Sequence, residues 1–67
     1  MTELQFRLQI TCDNHAFEDN AAPELARILR ELATRLERGE NFDMYRNLYD
    51  LNGNIVGQCA LKDKSRF

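Results

Sequence analysis

The sequence predicts an α+β fold in the order β-α-β-β, with one helix packed on a three-stranded, mainly antiparallel sheet. Three features carry this reading: an apolar/polar alternation near the start, one amphipathic stripe at helical spacing, and an Asp-Leu-Asn-Gly turn between two further apolar runs.

Leu4, Phe6, Leu8, Ile10 and Cys12 alternate with Gln5, Arg7, Gln9 and Thr11. This is the period of a strand with one buried face, so Cys12 is expected to point into the core. From Asp13 to Asn20 the period breaks, and the Asn and Asp side chains there favour turns and helix caps by bonding nearby backbone N–H groups. A helix is expected to begin between Asn20 and Ala22. Pro23 suits a first turn, where its missing N–H has no partner to lose, and Asp19, Asn20 and Glu24 lie where the helix dipole is positive.

Leu25, Ile28, Leu29, Leu32 and Leu36, flanked by Ala22, Ala26 and Ala33, form one stripe, and Gly39 stands where a left-handed residue would end the helix. Glu24, Arg27, Arg30, Glu31, Arg35, Glu37 and Arg38 read as its solvated face. The i,i+4 pairs Arg27/Glu31 and Glu31/Arg35 are each worth about 0.2–0.5 kcal/mol.

Asp50-Leu51-Asn52-Gly53 suits a type I turn closed by a glycine bulge. With that turn Asp50 faces Asn54, Tyr49 faces Ile55, Leu48 faces Val56 and Tyr45 faces Cys59. Tyr45, Tyr49, Ile55, Cys59 and Leu61 are then expected toward the helix, with Met44, Leu48 and Val56 on the opposite face. A plain two-residue Asn52-Gly53 turn would move the pairing by one residue. The third strand is placed between the other two, the alternative being a parallel pairing of the first and second strands through a right-handed crossover. Residues 1–61 are read as one globular domain and residues 62–67, which show no period, as a flexible tail.

At 67 residues, 43% hydrophobic and 30% charged, the chain fits one domain of modest stability. No apolar run approaches the roughly 20 residues of a membrane span, and Met1-Thr2-Glu3-Leu4 lacks the basic then apolar pattern of a signal peptide. A cytoplasmic protein with no membrane contact is expected. Cys12 and Cys59 both fall in apolar alternations, which suits reduced thiols. The formal charge of −2 argues against direct nucleic-acid binding through neutralised phosphates.

Cys12 and His15 have C-x-x-H spacing, and Asp13 and Cys59 are the residues that would complete a zinc set. The second close pair of such sites is missing, so no metal is assigned. A core-facing Cys12 is no nucleophile, His15 alone is given no role, and Gly39, Gly53 and Gly57 are too scattered for a phosphate loop. The sequence thus offers no catalytic residues, no cofactor and no enzyme. Asp13, Glu18, Asp19 and Glu24 gather around the helix start, and Glu37, Glu40, Asp43 and Asp50 toward its end and the hairpin. They read either as caps and solubilising charge or as a carboxylate surface that mimics a phosphate backbone.

Residues 10–40 (ITCDNHAFEDNAAPELARILRELATRLERGE) and 48–61 (LYDLNGNIVGQCAL) resemble a family of short proteins encoded by bacteriophages and prophages. The shared motifs are D-N-x-A-F, an L-A-R-I-L-R-x-L-A helix and D-x-N-G-N-x-V-G. The resemblance supplies a fold and a genomic setting but no site residues, and Tyr45-Arg46-Asn47-Leu48-Tyr49 is longer and more aromatic than its counterpart.

By analogy with small acidic phage proteins, the expected function is non-enzymatic inhibition of a bacterial defence complex, as anti-CRISPR proteins do. The partner is then a host protein or ribonucleoprotein in the bacterial cytoplasm. It would be met either by the acidic residues Asp13, Glu18, Asp19, Glu24, Glu40 and Asp43 or by a sheet face anchored on Tyr45, Leu48, Tyr49 and Val56. The alternative is a self-assembling, homodimeric accessory protein that uses its sheet edges and apolar face.

Overall fold

The computed structural model describes residues 3–19 and 21–67, so Met1, Thr2 and the Asn20 end of the predicted helix start lie outside the described residues. Strand β1 spans Leu4–Ile10, helix α1 Ala21–Glu37, β2 Arg46–Tyr49 and β3 Ile55–Asp63, with short 3-10 turns at His15–Phe17 and Lys64–Arg66. The three strands form one antiparallel sheet in the order β1-β3-β2. This is the α+β arrangement with the third strand central.

Helix α1 ends as its glycine predicts. Gly39 takes φ 81°, its N–H donates to the Leu36 carbonyl, and the Glu40 N–H donates to the Arg35 carbonyl, the paired bonds of a Schellman cap. The Asp50 turn is likewise as expected. The Gly53 N–H donates to the Asp50 carbonyl at 3.0 Å, the Asp50 N–H to the Asn54 carbonyl at 2.9 Å, and Gly53 has φ 81°.

The hairpin pairs Tyr49 with Ile55 as read from the turn, but next pairs Leu48 with Gly57 and Arg46 with Cys59. Val56 is therefore an extra residue on β3, a bulge of two residues facing one. The bulge re-aims the strand, and the predicted faces are reversed for most of these residues. Leu48, 2% exposed, and Val56, 7% exposed, join Phe17, Ile28, Leu32, Phe42 and Cys59 in the core, whereas Tyr45, Tyr49 and Ile55 stand exposed. Leu48 and Val56 are thus core residues and not parts of a binding surface.

The helix packs on β2 and the His15–Phe17 turn, and of β1 only Ile10 is packed against the core. Leu4, Phe6 and Leu8, predicted to be buried, remain 69%, 41% and 42% exposed. The molecule is long for its size, 45 × 22 × 17 Å with a radius of gyration of 13.0 Å, against about 11 Å for a compact chain of this length.

The C-terminal residues are more ordered than their lack of period suggests. Lys62 and Asp63 complete β3, and Asp63 caps the last turn by accepting from the Ser65 N–H. Arg66 grips Asp43 through two bonds of 2.5 and 2.7 Å. Phe67 packs edge-on against Tyr45 at 6.1 Å, with the Arg7 guanidinium 4.2 Å from its ring centre.

Candidate functional site

The D-N-x-A-F and D-x-N-G-N segments meet at one carboxylate. Asp50 Oδ1 accepts from the N–H groups of Asn52 and Asn54, and Oδ2 accepts from Asn14 Nδ2 at 2.7 Å and Asn54 Nδ2 at 3.2 Å. Asn14 comes from D-N-x-A-F, and Asp50, Asn52 and Asn54 from D-x-N-G-N. Phe17 of the first motif is buried in the core cluster. Both motifs therefore tie the first loop to the hairpin. Burial pushes the Asp50 pKa up, but the bonds from Asn54, Asn14 and Asn52 outweigh it and hold the carboxyl below its ordinary range.

A second junction docks the helix on the free edge of β2. Glu24 is nearly buried, binds Arg27 at 2.7 and 3.1 Å, and accepts from the Leu51 N–H at 2.8 Å. Arg27 donates to the Tyr49 carbonyl at 3.2 Å, and Arg35, clamped on Glu40, donates to the Asn47 carbonyl at 3.3 Å. These arginines read as a solvated face in the sequence. Instead they satisfy the outward carbonyls of an edge strand, with Arg35 pairing to Glu40 rather than Glu31.

The bond from Arg27 lowers the Glu24 pKa against the upward push of burial, and the bonds from Arg35 and Arg66 do the same for Glu40 and Asp43. Three of the six carboxylates expected to form an acidic surface are therefore engaged within the molecule. Asp13, Glu18 and Asp19 stay exposed on the loop before α1, where Glu18 lies 2.7 Å from His15 Nδ1.

These lowered pKa values set the acid limb of stability. Because the folded values lie below the ordinary 3.8 for Asp50 and 4.5 for Glu24, the unfolded chain binds more protons as the solution is acidified, so stability rises with pH there. The stabilisation is fully present above about pH 5 and is lost as pH falls through the folded values. Urea midpoints are expected to be flat from about pH 5 to 7 and to fall steadily below about 4.5. Glu24→Gln should make the fall shallower, and a midpoint that held down to pH 3 would contradict the assignment.

The zinc reading does not assemble. Cys12 lies past the end of β1 and is exposed rather than core-facing, while Cys59 is fully buried, which pushes its thiol pKa up. Among the described residues no group of three or more His, Cys, Asp or Glu is placed to hold a metal ion. No helix among them is long and apolar enough to cross a membrane.

The face of the sheet turned away from the helix is the surface on which predicted site residues come together. Strand alternation places Tyr49 and Asn47 of β2, Ile55, Gln58, Ala60 and Lys62 of β3, and Gln5, Arg7 and Gln9 of β1 there. Tyr45 precedes β2 on the same side, and a groove beside it is lined by Arg7, Gln9 and Gln58. Tyr45 and Tyr49 are 48% and 49% exposed. Gln58 donates to Asn47 across the strands at 3.1 Å, and Lys62 lies over the rings of Tyr45 and Phe67. The sequence reading missed Phe67, for which a terminal aromatic after a charged run was the available signal.

The fold and this open face define a small α+β domain with one helix-covered and one uncovered sheet surface. Comparison of the chain with protein-family models, curated proteins and solved structures gave no match.

Proposed function

We propose that the protein is a non-enzymatic accessory protein of a phage or mobile element that inhibits a bacterial defence complex by binding it through the open sheet face. The observation that carries this reading is the pair Tyr45 and Tyr49, half exposed on a face that no helix covers. Tyrosine is over-represented among residues that dominate interface energy, because it offers a large rigid surface with a polar tip. The resemblance of the motifs to those of phage proteins suggests the genomic setting, and analogy with small acidic phage proteins suggests the defence target. Asp13, Glu18 and Asp19 steer a basic partner toward the molecule rather than imitate a nucleic acid, since Glu24, Glu40 and Asp43 are held internally.

The test is an affinity capture of tagged protein from its bacterial host at low and raised salt, with mass spectrometry and nucleic-acid analysis of what co-purifies. A nucleic-acid-guided defence complex retained at raised salt is expected, because contacts between apolar rings are insensitive to screening. The double variant Tyr45→Ala/Tyr49→Ala is expected to stay folded and to recover at least about tenfold less of it, as loss of two interface anchors implies. Undiminished recovery by the variant would overturn the sheet-face contact, release of the wild type by salt would transfer the role to the acidic loop, and absence of any such complex would overturn inhibition.

A further inference from the structure

We infer that a second copy of this chain pairs with strand β1, edge to edge and antiparallel about a twofold axis through Phe6, making one six-stranded sheet from two molecules. The two edges of the sheet are treated differently. Edge strand β2 has four residues, and Arg27 and Arg35 occupy its Tyr49 and Asn47 carbonyls. Edge strand β1 has seven residues, and among the described residues no side chain hydrogen-bonds its outward backbone.

The direction of the free groups follows from the ladder. At the two ends of β1, the Thr11 N–H donates to the Val56 carbonyl and the Glu3 carbonyl accepts from the Lys64 N–H, both toward β3. Alternation then turns the backbone groups of Gln5, Arg7 and Gln9 inward as well, and those of Leu4, Phe6, Leu8 and Ile10 outward. A long, open, apolar edge is a template for another strand.

The side chains of the same residues point to the helix side, where Phe6 pairs with Leu61 and Leu8 with Cys59. On that side Leu4, Phe6, Leu8 and Leu61 stay substantially exposed. They present on the order of 350 Å² of apolar surface per copy, and with the edge itself a twofold contact would bury about 1,000 Å² in total, the lower bound of specific interfaces. A dissociation constant in the micromolar range is expected from an interface of that size.

Charge selects the register. An axis through Arg7 would set two guanidinium groups directly opposite, a destabilising pair. With the axis at Phe6, Arg7 faces Gln5 of the second copy, Leu4 faces Leu8, and Phe6 faces its own mate. Phe6 and the two Leu4/Leu8 pairs would exchange both backbone bonds, giving six hydrogen bonds from groups that are otherwise left to water.

Sedimentation equilibrium up to about 0.5 mM is expected to show a shift from 7.8 kDa to twice that mass, with the midpoint in the micromolar range. Phe6→Lys and the more exposed Leu4→Lys should each raise the dissociation constant at least tenfold while keeping the wild-type circular dichroism. A wild type that stays monomeric at 0.5 mM overturns the proposal, as does unchanged dimerisation by both variants. Register is read by mixing Gln5→Cys with Arg7→Cys, each in a Cys12→Ser background, under mild oxidation. Non-hydrogen-bonded antiparallel pairs bring Cα atoms to about 4.5 Å, within disulfide reach. A disulfide between the two different variants supports the Phe6 axis, and disulfides only between like variants overturn it.

Discussion

Replacing Asp50 by Ala is expected to lower the melting temperature by about 10 °C or more, since a hydrogen bond to a charged group contributes more than a neutral one and a small domain shifts several degrees per kcal/mol. The side chain is 4% exposed and its two oxygens take four hydrogen bonds, two from backbone N–H groups within the turn and two from side-chain amides. Truncation leaves these donors in a site from which water is largely excluded. Asp50→Asn should cost less than Asp50→Ala but remain destabilising. Its oxygen can keep the N–H groups of Asn52 and Asn54, whereas its NH2 group meets the amides of Asn14 and Asn54, which must turn their oxygens to accept it, and all the bonds lose their charge assistance. Asn14→Ala, which removes one of the four bonds, should cost about a third as much or less. Thermal unfolding followed by circular dichroism measures the series. A variant Asp50→Asn with wild-type stability would show that the carboxylate charge is not what the turn and loop require.

That result bears on what the D-N-x-A-F and D-x-N-G-N motifs do. Asn14, Phe17, Asp50, Asn52 and Asn54 join the first loop to the hairpin and fill the adjacent core. Residues so used are folding determinants, and the motifs they form mark an architecture rather than a binding site. Tyr45 and Tyr49, exposed on the open sheet face, lie outside both motifs. The fold and the open face therefore use different side chains, so the face can vary without disturbing the junction.

The elements that were legible in the sequence are those whose signal is local. The helix shows in the Leu25 to Leu36 stripe and in Gly39, the turn in Asp50-Leu51-Asn52-Gly53, and β1 in its alternation. The sheet faces were not legible, because strand alternation assigns sides only when every residue is paired. One extra residue at Val56 shifts the pairing, so that Cys59 and Leu61 keep the expected side while Tyr45, Leu48, Tyr49 and Ile55 change theirs. A signal was present: a glycine within a strand marks a bulge or a close approach of backbone, and Gly57 is such a glycine.

The roles of Glu24, Arg27 and Arg35 were hidden for a different reason. Helical period shows which residues share a face, but not which neighbouring edge that face overhangs. Exposure of Leu4, Phe6 and Leu8 was hidden likewise: their alternation shows a common apolar face, and a single helix placed over β2 leaves that face without a cover.

Gly57→Ala is expected to cost about 3 kcal/mol or more, a large share of the total stability of a domain of this size. A Cβ at this position would sit 2.0 Å from the Gln9 carbonyl oxygen, 2.9 Å from the Ile10 Cα and 3.0 Å from the Gln9 carbonyl carbon. All three are backbone atoms of the neighbouring strand, so no side chain can rotate away, and β1 must separate from β3 where Ile10 packs on the core. The bulge requires the glycine for the same reason: beside the extra residue Val56, the side-chain position of Gly57 is turned onto the β1 backbone, where no Cβ fits. Gly53→Ala provides the contrast. Gly53 has φ 81° with nothing within 4 Å of its would-be Cβ, so its substitution meets only the backbone strain of a left-handed residue, about 1 kcal/mol. Urea unfolding of the two variants separates clash from strain. Equal losses would mean that β1 gives way at little cost, and the junction of strand, bulge and core would then be far softer than its packing implies.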